Sequence, residues 1–303
     1  MERPMIPVIA GPTASGKTGL ALALAERIDS IEIVSADSRQ IYMGMDIGTA
    51  KPTDEELRAV PHHMIDIITP DILFSAGEYA ARAREIIAEI LDRGNQPLVV
   101  GGSGFYVRAL FEGLTAPTVD QEILARLAER GVSEGYEILY DELTRIDPVA
   151  ASAHSPNNHV KLLRALCCWY QTGVPYSRFS SAQAETQLPY VPRYLALGPP
   201  REMLYERINA RVLEMIASGL IAETEGLLAA GYSASSPGLK TVGYAEALKH
   251  IAGEIGGAEM IAMIQQSTRR YAKRQMTWLR NVDGVRWMEQ PDVAEAGRWL
   301  RGG

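Results

Sequence analysis

Eight residues near the start of the chain, Gly11-Pro12-Thr13-Ala14-Ser15-Gly16-Lys17-Thr18, have the types and spacing of a phosphate-gripping loop, G-x-x-x-x-G-K-[ST]. Its glycines let the backbone turn N–H groups inward, and a helix following it adds partial positive charge at its N-terminus. Lys17 supplies a full charge, and the Thr18 hydroxyl can ligate Mg²⁺. Such a loop holds a diphosphate or a triphosphate. Asp37 follows a short apolar run and falls where doubly wound sheets bind ligands, outside the carboxyl ends of the strands. It is placed either to act on whatever the loop holds or, more plainly, as a cap or turn-forming residue.

Two further groups could touch nucleic acid or phosphate. Residues 268–280 carry Arg269, Arg270, Lys273, Arg274 and Arg280 with no acidic residue between them, and Tyr271 and Trp278 interleave. Cations at helical spacing with aromatics suit phosphate-backbone contact and base stacking, or simply a solvated helix face. Arg207 and Arg211 lie four apart on another helical stretch. The adjacent His62 and His63 have no partner cysteine or histidine nearby in sequence, so they read as a strand-edge feature rather than a metal site.

The elements that must position these groups follow from periodicity. Apolar runs at 5–10, 31–35, 96–102, 193–197 and 285–288 read as strands; the first three are buried parallel strands alternating with helices over 18–28 and from a Ser75/Glu78 capping box to Gly94. The strand at 96–102 ends in Gly101-Gly102-Ser103 where a hydrolytic motor would carry a Mg²⁺-binding Asp, which argues against an ATP-driven machine. Helical patterns at 121–130, 133–146 and 157–171 follow one another without a strand. The expectation is an α/β fold: a P-loop NTPase-like parallel sheet flanked by helices (residues 1–115 and 198–303) with an inserted helical domain at 116–197. Thr115 to Thr118 mark the entry to that insertion.

The 303 residues are 47% hydrophobic and 22% charged, an ordinary globular balance, with net charge −7. No apolar run reaches membrane-spanning length, and Met1 leads at once into the first strand, leaving no room for a signal peptide. The two cysteines, Cys167 and Cys168, are adjacent and offer no disulfide framework. A cytoplasmic protein without a membrane partner is expected, and nothing demands an oligomer.

Together these pieces resemble the bacterial tRNA dimethylallyltransferases (tRNA isopentenyltransferases). The resemblance rests on residues 11–18, Ser35-Ala36-Asp37-Ser38, Asp46-Ile47-Gly48-Thr49-Ala50-Lys51-Pro52, Gly101-Gly102-Ser103, Arg164-Ala165-Leu166, Val242-Gly243-Tyr244 and 268–280. It implies transfer of a dimethylallyl group from dimethylallyl diphosphate to the N6 amine of the adenosine beside the tRNA anticodon. Asp37 would then be general base, and Thr13, Lys17, Thr18 with Mg²⁺, and Arg211 would neutralise the departing diphosphate. The implied RNA-facing residues are Asp37, Ser38, Arg39, Gln40, Ser103, Lys161, Arg164, Lys240, Thr241, Val242, Gly243, Tyr244, Lys273, Arg274, Gln275, Thr277, Trp278 and Arg280. The chain departs from the family pattern at Asn158, Lys161, Cys167 and Ala245, all outside the phosphate loop. A prenyltransferase acting on free AMP, ADP or ATP and a small-molecule kinase are the enzyme alternatives; neither needs the basic stretch.

Overall fold

The computed structural model describes residues 3–113, 119–153, 155–183 and 188–302. The expected entry to the insertion, 115–118, lies outside them. In chain order the elements are β1 (Met5–Ala10), α1 (Lys17–Ala25), β2 (Ile31–Ser35), α2 (Asp54–Ala59), β3 (His62–His63), α3 (Ala76–Asp92), β4 (Gln96–Gly101) and α4 (Gly104–Glu112). Then come α5 (Gln121–Ser133), α6 (Tyr136–Ile146), α7 (Pro148–Ser152), α8 (His159–Thr172) and α9 (Tyr176–Gln183). The chain closes with β5 (Val191–Leu197), α10 (Arg201–Ala217), α11 (Leu220–Ala229), α12 (Tyr244–Ile251), α13 (Gly257–Leu279), β6 (Arg286–Met288) and α14 (Val293–Leu300).

The chain divides into two compact units, Met1–Phe111 with Pro189–Gly303, and Glu112–Leu188. The first is built on a six-stranded sheet of order β3-β2-β4-β1-β5-β6, parallel throughout. β5 pairs with β1 from Met5↔Val191 to Ala10↔Ala196, so it belongs to this sheet.

Strand side chains alternate between two cores, as the period of a strand requires. Ile6, Val8, Val34, Val99 and Tyr194 face a core shared with Tyr79, Ile87 and Ile90 of α3 and Val107 of α4. Ile9, Ile31, Ile33, Leu98, Val100 and Leu195 face the other, against Leu20 and Leu24 of α1 and Trp299 of α14. A parallel sheet covered on both faces needs near-continuous apolar strands, and these have them. The capping box expected at Ser75 is present, with Glu78 N–H donating to Ser75 Oγ at 3.2 Å and Ser75 N–H to Glu78 Oε2 at 2.7 Å. At the sheet edge Glu32 is 5% exposed. Burial opposes its charge, but hydrogen bonds from Arg93, Asn95 and His63 hold its carboxyl down at about 2. His63 is thus spent on a structural carboxylate.

The second unit is helical, with Leu127 of α5, Leu139 and Leu143 of α6, and Leu162, Leu166 and Cys167 of α8 in one core. Cys167, one of the departures from the family pattern, therefore fills that core. Asn158 caps α8, its side chain accepting the Lys161 N–H at 3.3 Å, which an amide oxygen does as well as a carboxylate. Among the described residues no helix is long and apolar enough to cross a membrane.

Candidate active site

β1 delivers the phosphate loop to the carboxyl edge of the sheet, between the ends of β4 and β5. Gly16 has φ 93° and Ala14 φ 64°, both left-handed, so the loop curls before α1 begins at Lys17. A Cβ on Gly11 would sit 2.6 Å from Ser15 Oγ and 3.1 Å from the Leu197 carbonyl, so glycine is needed where the loop leaves β1. Ser15 is 1% exposed and its Oγ has no hydrogen-bond partner.

A cleft opens beside the loop, enclosing about 530 Å³ with its mouth, and Thr13, Lys17, Thr18, Asp37, Gln40 and Arg211 are among its lining residues. The sequence scatters these over 199 positions; β1, β2 and α10 bring them to one place. Lys17 Nζ donates to the Pro12 carbonyl at 3.3 Å. Burial pushes the Lys17 ammonium down to about 8, against the pull of the Asp37 carboxylate and with the repulsion of Arg211. Burial lowers Arg211 as well, with Glu214 countering it. Burial thus disfavours the charged form of both groups, and an anion placed between them would favour it.

Asp37 follows β2. Its Oδ1 accepts the Arg39 N–H at 2.9 Å, the Asx geometry of the plainer reading, which fixes the carboxylate and leaves Oδ2 for other work. Gln40 is held by both ends of its amide: Ser35 Oγ donates to Oε1 at 3.2 Å, and Nε2 donates to the Ala50 carbonyl at 3.1 Å. His62 also lines the cleft. Its Nδ1 contacts the Val60 carbonyl at 2.7 Å, and burial lowers its pKa.

The wall opposite β2 comes from residues 46–52, a loop anchored by a carboxylate that sequence reasoning missed. Glu223 of α11 accepts the N–H groups of Asp46 and Ile47 at 2.9 Å each and of Gly48 at 3.2 Å. Tyr244 donates its hydroxyl to the same carboxylate, and Lys51 pairs with Asp46 and Asp66. No local pattern marks Glu223; the backbone N–H groups it accepts lie about 175 residues upstream in sequence.

The remaining candidates divide sharply. Lys273, Arg274, Thr277 and Arg280 are exposed on or just beyond α13, and Lys240 is exposed before α12. Thr241, Gly243 and Tyr244 are buried, the last with its hydroxyl committed to Glu223. Ser103 is 8% exposed, its N–H donating to the Ala36 carbonyl at 3.1 Å. Gln275 is 5% exposed, and the ring of Trp278 packs on Gly104. In the helical unit, Lys161 and Arg164 are exposed one turn apart on α8. Among the described residues no group of three or more His, Cys, Asp or Glu side chains could hold a metal by itself.

A family model described as IPP transferase matches residues 40–282. The tRNA dimethylallyltransferase of Geobacter metallireducens is 46% identical over 291 residues, covering 96% of this chain and 94% of its own length. The enzyme of the same name from Myxococcus xanthus is also 46% identical, with the same shares covered. Among solved structures, the tRNA isopentenylpyrophosphate transferase of Bacillus halodurans is similar with TM-score 0.72 and 36% identity, over 99% of this chain and 96% of that one.

Proposed function

The chain belongs to the IPP transferase family, and from that membership we propose how its cleft performs the reaction. Its activity is that of a tRNA dimethylallyltransferase. The observation that carries the mechanism is the convergence of Thr13, Lys17, Thr18, Asp37 and Arg211 on one cleft.

Dimethylallyl diphosphate lies with its diphosphate on the phosphate loop, and the target adenosine of the anticodon loop enters from the Asp37 side, out of its stack. The exocyclic N6 amine attacks C1 of the dimethylallyl group as the C1–O bond breaks, and diphosphate leaves with the bonding electrons. Asp37 accepts the proton that N6 sheds. Lys17 and Arg211 meet the charge growing on the leaving oxygen, and their burial makes each interaction stronger than in water. Because Asp37 is pinned through Oδ1, its free oxygen needs no reorganisation at the moment of transfer.

The Thr18 hydroxyl, a hard oxygen donor beside the phosphate loop, suits Mg²⁺ without an acidic cage. A hard cation that keeps its waters and takes most of its ligands from a diphosphate needs no more. Thr18 would hold it, and when bound it supplies further charge neutralisation on the diphosphate. The exposed cations of α13 and of α8 fit an RNA backbone. No step of this mechanism calls for a residue of a second copy, and a monomer is the state we propose.

The test is transfer of labelled dimethylallyl diphosphate to unmodified tRNA, to AMP, or to no acceptor. Label entering tRNA alone supports the reading. Label entering AMP assigns the cleft to free nucleotides, and ATP consumption without transfer assigns it to a kinase.

A further inference from the structure

Helix α13 has two faces. Lys273, Arg274, Thr277 and, just past its end, Arg280 are exposed, whereas Tyr271, Gln275 and Trp278 follow an i, i+4, i+7 stripe turned toward the catalytic loops. Tyr271 lies beside Ser38 and Asp37, and burial with the Asp37 charge pushes its phenol up to about 12. Trp278 packs on Gly104, where a Cβ would fall 2.4 Å from the indole ring.

Gln275 lies between them and makes two bonds at once. Its Oε1 accepts the Thr13 N–H at 2.9 Å, and its Nε2 donates to the Gly102 carbonyl at 3.0 Å. A Cβ on Gly102 would come within 2.2 Å of that Nε2, so glycine there admits the amide. With 5% of its surface exposed and each end of its amide bonded inward, the side chain is turned away from the outer face of the helix. It fixes the phosphate loop and the Gly101–Ser103 loop in one frame with the helix. On the outer face Arg274 places its guanidinium 5.5 Å over the Tyr271 ring. A phosphate gripped by Arg274 is thus connected, through Tyr271 and Ser38, to the loop of Asp37.

We propose that Gln275 is a positioning residue that links RNA docking on the outer face of α13 to the shape of the phosphate loop, so that tRNA and diphosphate bind as coupled ligands. The proposal rests on the transferase reading above. By linkage, tRNA then changes diphosphate affinity and diphosphate changes tRNA affinity by the same factor.

The test combines steady-state kinetics with calorimetric titration of inorganic diphosphate and Mg²⁺ into the full chain, with and without saturating tRNA. Wild type should show a coupling factor of about 5 or more. Gln275→Met, equal in length but unable to make either bond, should bring that factor near one. It should also lower kcat at least about 30-fold while the KM for tRNA moves less than about threefold. Gln275→Glu keeps the acceptor for Thr13 and should lie between; should the Met variant not fold, this one decides. Lys273→Ala should raise the KM for tRNA and leave the coupling. A raised KM for tRNA with unchanged kcat in Gln275→Met would overturn the proposal, as would absence of coupling in wild type. Failure of the wild-type protein to prenylate tRNA would instead sink the transferase reading itself.

Discussion

Lys17 and Asp37 line the same cleft, one from the start of α1 and the other beyond the end of β2, and the carboxylate partly offsets the burial that lowers the ammonium. In the proposed mechanism the ammonium serves the diphosphate and the carboxylate serves the amine.

Donor binding should therefore depend on pH. With its pKa near 8, Lys17 loses its proton in the free protein as pH rises through that value. A bound diphosphate favours the charged form and raises the pKa, so binding between about pH 8 and 10 takes up a proton. Affinity for diphosphate, measured by calorimetry in two buffers of different ionisation enthalpy, should weaken as pH rises above 8, with proton uptake over the same range. Lys17→Met should weaken binding about 100-fold at pH 7 and abolish that uptake.

Glu223 should matter to the fold of the cleft wall without touching substrate. Its carboxylate accepts three consecutive N–H groups, from Asp46 to Gly48, and the Tyr244 hydroxyl. Glu223→Ala strands these donors and should lower stability in urea unfolding by about 2–3 kcal/mol. Tyr244→Phe removes two bonds, the one donated to Glu223 and the one accepted from the Gly48 N–H, and should cost about 1–2 kcal/mol.

The approach of β4 to Asp37 admits no side chain. A Cβ on Gly101 would lie 2.2 Å from the Ala36 carbonyl oxygen, so Gly101→Ala must push the backbone beside the base. Stability should fall by about 1–3 kcal/mol and kcat by about 100-fold. Gly19→Ala, with open space at its Cβ, is the control and should stabilise α1 by about 0.5–1 kcal/mol in the same unfolding assay.

Much of this was legible in the sequence because it is local. The strands of the first unit, the phosphate loop and the Ser75 capping box each declare themselves within a dozen residues, through alternation, glycine spacing or an N-cap pattern. The sheet then carries Asp37 to the loop by topology alone, since parallel strands put their carboxyl ends on one edge. What escaped was long-range or too short to leave a period. Gln275 meets Thr13 across 262 positions, and nothing around it distinguishes a buried amide from an RNA contact on a basic helix. Tyr244 and Glu223 are likewise joined only by the fold. The two-residue β3 and the single-turn helices α2 and α7 carry too few residues for a pattern to stand out. Asn158, by sequence a departure from the family pattern, is revealed by geometry as a helix cap.

Asp37 is the base in the proposed mechanism, and Asp37→Asn tests that role most directly. Asparagine keeps an oxygen for the Arg39 N–H and the same shape, but cannot take a proton. Single-turnover transfer of labelled dimethylallyl diphosphate to tRNA should slow by about 100- to 10,000-fold, with the affinities for donor and tRNA within about threefold of wild type. Transfer at the wild-type rate, or a loss explained wholly by weaker tRNA binding, would contradict it.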